Sequence, residues 1–113
     1  MAKSNKPVIW ALFAAGGTVA ALLVPALVVL TLLPALGVLP ELLGYERAQA
    51  FAGHWLGKAA LFGTIFLLLW HAAHRLRITL HDLGVRADTA VAVLVYLAAA
   101  AGCVVAGWSL LQV

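Results

Sequence analysis

Apolar residues run almost unbroken from Pro7 to Leu39, from Leu56 to Trp70 with Lys58 as the interruption, and from Ala90 to Trp108. Such runs are too long for strands, and a membrane-spanning helix needs roughly 20 apolar residues. The pattern predicts an all-α membrane protein with three transmembrane helices in a single domain over 1–113. The helices are expected at about 8–33, 51–83 and 89–111. The first run is more than twice the roughly 7–15 residues of a secretory h-region, so it reads as a retained helix.

Local signals place the ends. Pro7 suits a first helical turn, where its missing N–H is no loss. Pro25 lies mid-helix and takes the usual donor from the Ala21 carbonyl, which predicts a gentle kink rather than a break. Prolines and glycines gather in PALGVLPELLG, Pro34 to Gly44, and predict an exit turn with a short interfacial loop. Tyr45-Glu46-Arg47 then leads into the second helix, with Phe51, Trp55 and Lys58 near the membrane surface. Gly84 is a natural C-cap and Asp88 a natural N-cap for the third helix.

Composition agrees with that picture. The chain is 65% hydrophobic and 10% charged, outside the range of soluble domains. Its net charge of +3 is too small and scattered to suggest nucleic acid. Placement of the basic residues says more. With the N-terminus inside, Lys3, Lys6, Arg75, Arg77 and Arg86 are cytoplasmic, and only Arg47 and Lys58 lie opposite. The positive-inside rule therefore predicts an N-in, C-out chain. Tyr45, Trp55 and Trp108 then belt the outer interface, Trp10 and Trp70 the inner one. Three helices are few for a small-molecule site, so packing against a partner is expected. Gly53 with Gly57, and Cys103 with Gly107, offer small-residue spacings that let helices approach closely.

Candidate chemistry concentrates in WHAAHRLRITLHDL, from Trp70 to Leu83. At about 100° per residue His74, Arg77 and His81 share one helix face, with His71 at its edge and Arg75 pointing away. Polar, titratable groups where an apolar helix leaves a membrane mark a functional site. Glu41, Glu46, Asp82 and Asp88 all fall in loops or at helix ends, which argues against a small proton-coupled transporter. Cys103 alone holds neither a cluster nor a disulfide and reads as a packing residue. Two histidine chemistries remain. A bis-histidine haem needs imidazoles from facing helices, and His54, His71, His74 and His81 all belong to the second helix or its extension. A quinone needs less: a titratable imidazole with an indole N–H nearby, at the membrane edge. Trp10 opens the first helix at the same depth as His74. The plain structural alternative is an interfacial His74 bonded to a backbone carbonyl.

The chain resembles the fumarate reductase D-subunit family, the smaller hydrophobic anchors of menaquinol:fumarate oxidoreductase complexes. The resemblance rests on Pro7-Val8-Ile9-Trp10, Leu12-Phe13, Gly16-Gly17, Tyr45-Glu46-Arg47, Phe51-Ala52, Leu69-Trp70, His74-Arg75 and His81-Asp82-Leu83, in that order. It implies a multi-pass protein of the bacterial inner (cytoplasmic) membrane within a heterotetramer. The partners would be a flavoprotein carrying FAD, an iron–sulfur protein and the other, larger hydrophobic anchor of the complex. This chain would hold no haem and no catalytic centre of its own, and would share a cytoplasmic-side menaquinone site. The resemblance carries quinone contact onto Trp10 and His74; Arg75, Arg77, His81 and His71 nearby are secondary candidates from the residue reading. Where members of the family carry further histidines, this sequence has Arg77 and Ile78; Arg77 would face lipid headgroups or an acidic patch of the iron–sulfur protein. His71 has no clear counterpart and is expected to pack between helices. Two alternatives stand: a purely structural anchor with the quinone site in its partners, and a haem-b-bearing anchor of the succinate dehydrogenase type. The direction of the reaction is not fixed by the sequence.

Overall fold

The computed structural model describes residues 4–38 and 44–113 and contains four helices in the order α1 (Lys6–Ala35), α2 (Tyr45–Gly53), α3 (Trp55–Asp82) and α4 (Asp88–Leu111). Lys3 and Glu41 lie outside the described residues, as does the middle of the loop expected from Pro34 to Gly44. Three of the helices, α1, α3 and α4, are long and apolar enough to cross a membrane. The 28 residues of α3 cover about 42 Å against roughly 30 Å of hydrocarbon. About two turns exceed that thickness.

Helix α3 is the middle of the arrangement. Both α1 and α4 pack on it rather than on one another, and α2 folds against its beginning. The layer is thin: Ala73, 6% exposed, is the one buried apolar side chain among the described residues. Leucines and valines along α1 and α4 are open on their outer faces, as suits a helix whose solvent is lipid or another membrane protein. Closeness between α1 and α3 comes from Gly16 and Gly17. A Cβ on Gly16 would collide with the Leu67 carbonyl and stand 2.8 Å from the His71 Cβ, and one on Gly17 would reach the His71 ring at 2.9 Å.

The helix ends follow their sequence signals with two exceptions. Pro7 sits in the first turn of α1, and the helix runs on through both Pro25 and Pro34. Gly84 closes α3 at φ +97°, with Gly84 N–H on the His81 carbonyl and Val85 N–H on the Leu80 carbonyl, each at 3.0 Å. That pair is a Schellman closure, in which a left-handed residue is required and glycine adopts it without strain.

The first exception is the expected second helix, 51–83, which is two helices. His54 is extended (φ −75°, ψ 141°), ends α2 and begins α3. Its Nδ1 accepts from Leu56 N–H at 3.2 Å, so the imidazole serves as the N-cap. Gly53 and Gly57 therefore do not line one continuous helix face. Gly57 instead lets α3 start against Phe51, whose carbonyl occupies the space a Cβ would need, while Gly53 faces open space.

The second exception is Asp88, which is the first residue of α4 rather than its cap. Ala87 holds the cap position and no side chain caps it. The Asp88 carboxylate turns to Arg77 instead, taking Nε–H on Oδ1 at 3.0 Å and Nη2–H on Oδ2 at 2.6 Å. A two-pronged, charge-assisted pair is stronger than one bond to a backbone amide, so the ion pair prevails over the cap.

Candidate functional site

The packing of α1 and α4 on α3 brings the polar end of α3 between the start of α1 and the start of α4. Phe13 reaches it from α1, one turn after Trp10. The Phe13 ring stacks on His71 (centroids 4.6 Å, interplanar angle 16°) and meets His74 edge-on at 4.7 Å. Trp10 tilts over Phe13 at 5.2 Å. Phe13 thus touches both the indole of Trp10 and the imidazole of His74.

His71 is held by α1. Its Nδ1–H donates to the Phe13 carbonyl at 3.1 Å, and its ring lies over Gly17. These contacts tie α3 to α1. His74 turns the other way, toward α4. Its Nδ1 shares a 3.0 Å hydrogen bond with the Tyr96 hydroxyl, and not with a backbone carbonyl. Tyr96 in turn lies 5.3 Å from the Trp70 ring, whose Nε1 is buried without a partner among the described residues.

His74, Arg77, Ile78, His81 and Asp88 line an open cleft of about 410 Å³. That volume is within the roughly 300–1,000 Å³ of small-molecule sites. Three of the candidate residues, His74, Arg77 and His81, are therefore together, as their shared helix face predicted. Arg77 forms a wall of the cleft, paired with Asp88. Arg75 is exposed and outside the cleft, and Trp10 stands apart on the α1 side.

Chemically, the cleft presents donors at its rim. The His74 Nε2 has no partner among the described residues, and Arg77, which also neighbours the Tyr96 hydroxyl, has N–H groups beyond the two that Asp88 uses. The donor set suits a carbonyl or another uncharged acceptor better than a bare cation. Sequence reasoning passed over Phe13, Tyr96 and the cleft-lining role of Asp88. Tyr96 carries the one phenol of the third apolar run, and Phe13 lies three residues beyond Trp10 on the same face, but neither signal points to the helix beside it.

Comparison with known proteins gives a consistent result. A family model for the fumarate reductase D subunit matches residues 1–111. The fumarate reductase D subunit of Vibrio parahaemolyticus is 46% identical over 83 residues, covering 72% of this chain and 66% of that one. Its counterpart in Aliivibrio fischeri is 42% identical over 100 residues, covering 87% and 83% of the two chains. The one in Shewanella putrefaciens is 39% identical over 100 residues, with the same coverage. The Vibrio alignment spans just under two thirds of its relative's length.

Proposed function

Because this chain belongs to the fumarate reductase D-subunit family, we propose that it is a membrane anchor of a fumarate reductase complex and that its His74 end forms part of a menaquinol site. The partners are a flavoprotein carrying FAD, an iron–sulfur protein and a second hydrophobic anchor, assembled at the bacterial inner membrane. The chain itself is not a catalyst. It holds the soluble partners at the bilayer and brings donors to the place where lipid-soluble reductant is used for electron transport. The N-terminus and the Arg75–Arg86 segment are cytoplasmic in this reading, and the C-terminus is external.

The observation that carries the proposal is the cleft at the end of α3. It has an imidazole, a guanidinium and apolar Ile78 in its walls and lies at the end of α3 where the apolar run gives way to charged residues. A menaquinol bound there would supply two electrons and two protons. His74 would offer Nε2 to one of its oxygens, as hydrogen-bond partner and proton carrier. Arg77, pinned by Asp88, would hold its remaining N–H donors in the adjacent wall, and His81 would lie at the watery rim. Trp10, against Phe13, would be part of the wall that partner proteins complete. The exposed outer faces of α1 and α4 are what a second hydrophobic anchor would cover.

The anchoring part is tested by deleting this chain from cells that make the rest of the complex. Fumarate reduction with a soluble electron donor should persist but move from the membrane fraction to the cytosol. Retention of that activity at the membrane would contradict the proposal.

A further inference from the structure

We propose that Tyr96 is a positioning residue for His74, fixing from α4 the imidazole that α3 delivers to the cleft; this rests on the quinol reading. Two observations meet here. The Tyr96 hydroxyl is 3.0 Å from His74 Nδ1, and His74 is at the same time a wall of the cleft. The hydrogen bond made by one imidazole nitrogen decides the protonation and direction of the other. With Nδ1 held by Tyr96, Nε2 is the nitrogen left for a ligand.

A hydroxyl is suited to this place in a way that a carbonyl or an ammonium is not. It rotates, and it can donate to Nδ1 or accept from Nδ1–H. His74 can therefore present Nε2 as a donor, with Tyr96 O–H on Nδ1, or as an acceptor, with Nδ1–H on the Tyr96 oxygen. Nδ1 stays satisfied in both cases. His71 has no such freedom, because its Nδ1 faces the Phe13 carbonyl, which only accepts. The two histidines, one turn apart on the same helix, are thus fixed from opposite sides by partners of different chemistry. The edge of Phe13 at 4.7 Å limits His74 on one side, and Tyr96 is itself held against Trp70. Tyr96 need not touch the ligand. It acts through the imidazole.

The test uses the assembled, detergent-solubilised complex with Tyr96→Phe, His74→Ala and both changes together. Phenylalanine keeps the ring against Trp70 and removes only the oxygen. Two quantities are measured: calorimetric binding of menadione, a naphthoquinone headgroup without a tail, and quinol-linked fumarate reduction. Tyr96→Phe should weaken menadione binding and slow quinol turnover by about 2- to 13-fold each, the range of one net hydrogen bond. In the His74→Ala background it should change neither, because its effect passes through His74. Equal losses in both backgrounds, no loss in either, or failure of the Tyr96→Phe complex to assemble would each overturn the inference. If His74→Ala alone leaves binding and turnover unchanged, the quinol reading itself fails, and Tyr96 with it. If His74→Ala impairs both but Tyr96→Phe impairs neither, only the role of Tyr96 falls.

Discussion

Trp10 and His74 both contact the ring of Phe13, which lies 5.2 Å from the indole and 4.7 Å edge-on from the imidazole. The indole is 63% exposed and adds little to the packing of α1 on α3. Phe13 adds more, since it also stacks on His71 and offers that residue its carbonyl. Phe13→Ala is therefore expected to lower quinol-linked turnover more than Trp10→Ala does, by releasing His74 on one side. Comparing the two variants in membranes with matched amounts of complex checks the order. A larger effect of Trp10→Ala would mean that the indole meets the ligand directly.

His71→Ala is expected to damage assembly rather than turnover. Its ring occupies the notch over Gly17 and carries the bond to the Phe13 carbonyl, so the change leaves a cavity between α1 and α3. Truncation of a well-packed side chain costs about 2–5 kcal/mol, and the lower part of that range suits a half-buried one. Less complex should accumulate in membranes, with normal quinol turnover per assembled complex. Normal accumulation with slow turnover would place His71 in the site instead.

Two glycines of one apparent motif should behave differently. Gly57→Ala drives a methyl into the Phe51 carbonyl, whereas the space beside Gly53 is open. Overpacking of this kind costs about 1–3 kcal/mol, while a change in open space stays within about 0.5 kcal/mol. Thermal unfolding of the purified complex should show a clear loss for Gly57→Ala and almost none for Gly53→Ala. Equal losses would restore a shared helix–helix face for the pair.

These contrasts show what the sequence could and could not convey. The three spans were legible because about twenty consecutive apolar residues admit few other readings. His74, Arg77 and His81 were placed together by helical pitch alone, and Gly84 was found from the glycine that follows the polar run. The break at His54 was not legible, since an imidazole that accepts from a backbone amide leaves no mark in hydropathy. Asp88 reads as a cap from its neighbours in sequence; its real partner, Arg77, is eleven residues back, across a turn. Phe13 and Tyr96 were missed for a related reason. Each looks like one more apolar residue in its own helix and acquires its role only from the helix beside it.

The orientation rests on basic residues. Lys6, Arg75, Arg77 and Arg86, with Lys3, should lie on the cytoplasmic side, and Arg47 and Lys58 opposite. A reporter active only outside the cytoplasm, fused at Val113, should be active, and the same reporter inserted after Val85 should be silent. The reverse pattern would invert the chain and move His74 to the outer surface.

His74 is the residue on which the proposed quinol site depends most. Loss of a hydrogen bond to a buried polar group costs about 1–3 kcal/mol, or roughly 5- to 150-fold in rate if felt in the transition state. The direct measurement is fumarate reduction by a purified, fully assembled His74→Ala complex, once with a menaquinol analogue and once with a soluble electron donor. The analogue-driven rate should fall within that range while the soluble-donor rate is unchanged, and His81→Ala, at the rim, should leave both near normal. Normal quinol-linked turnover in the His74→Ala complex would contradict the proposed site and leave this chain a structural anchor, with the quinol site entirely in its partners.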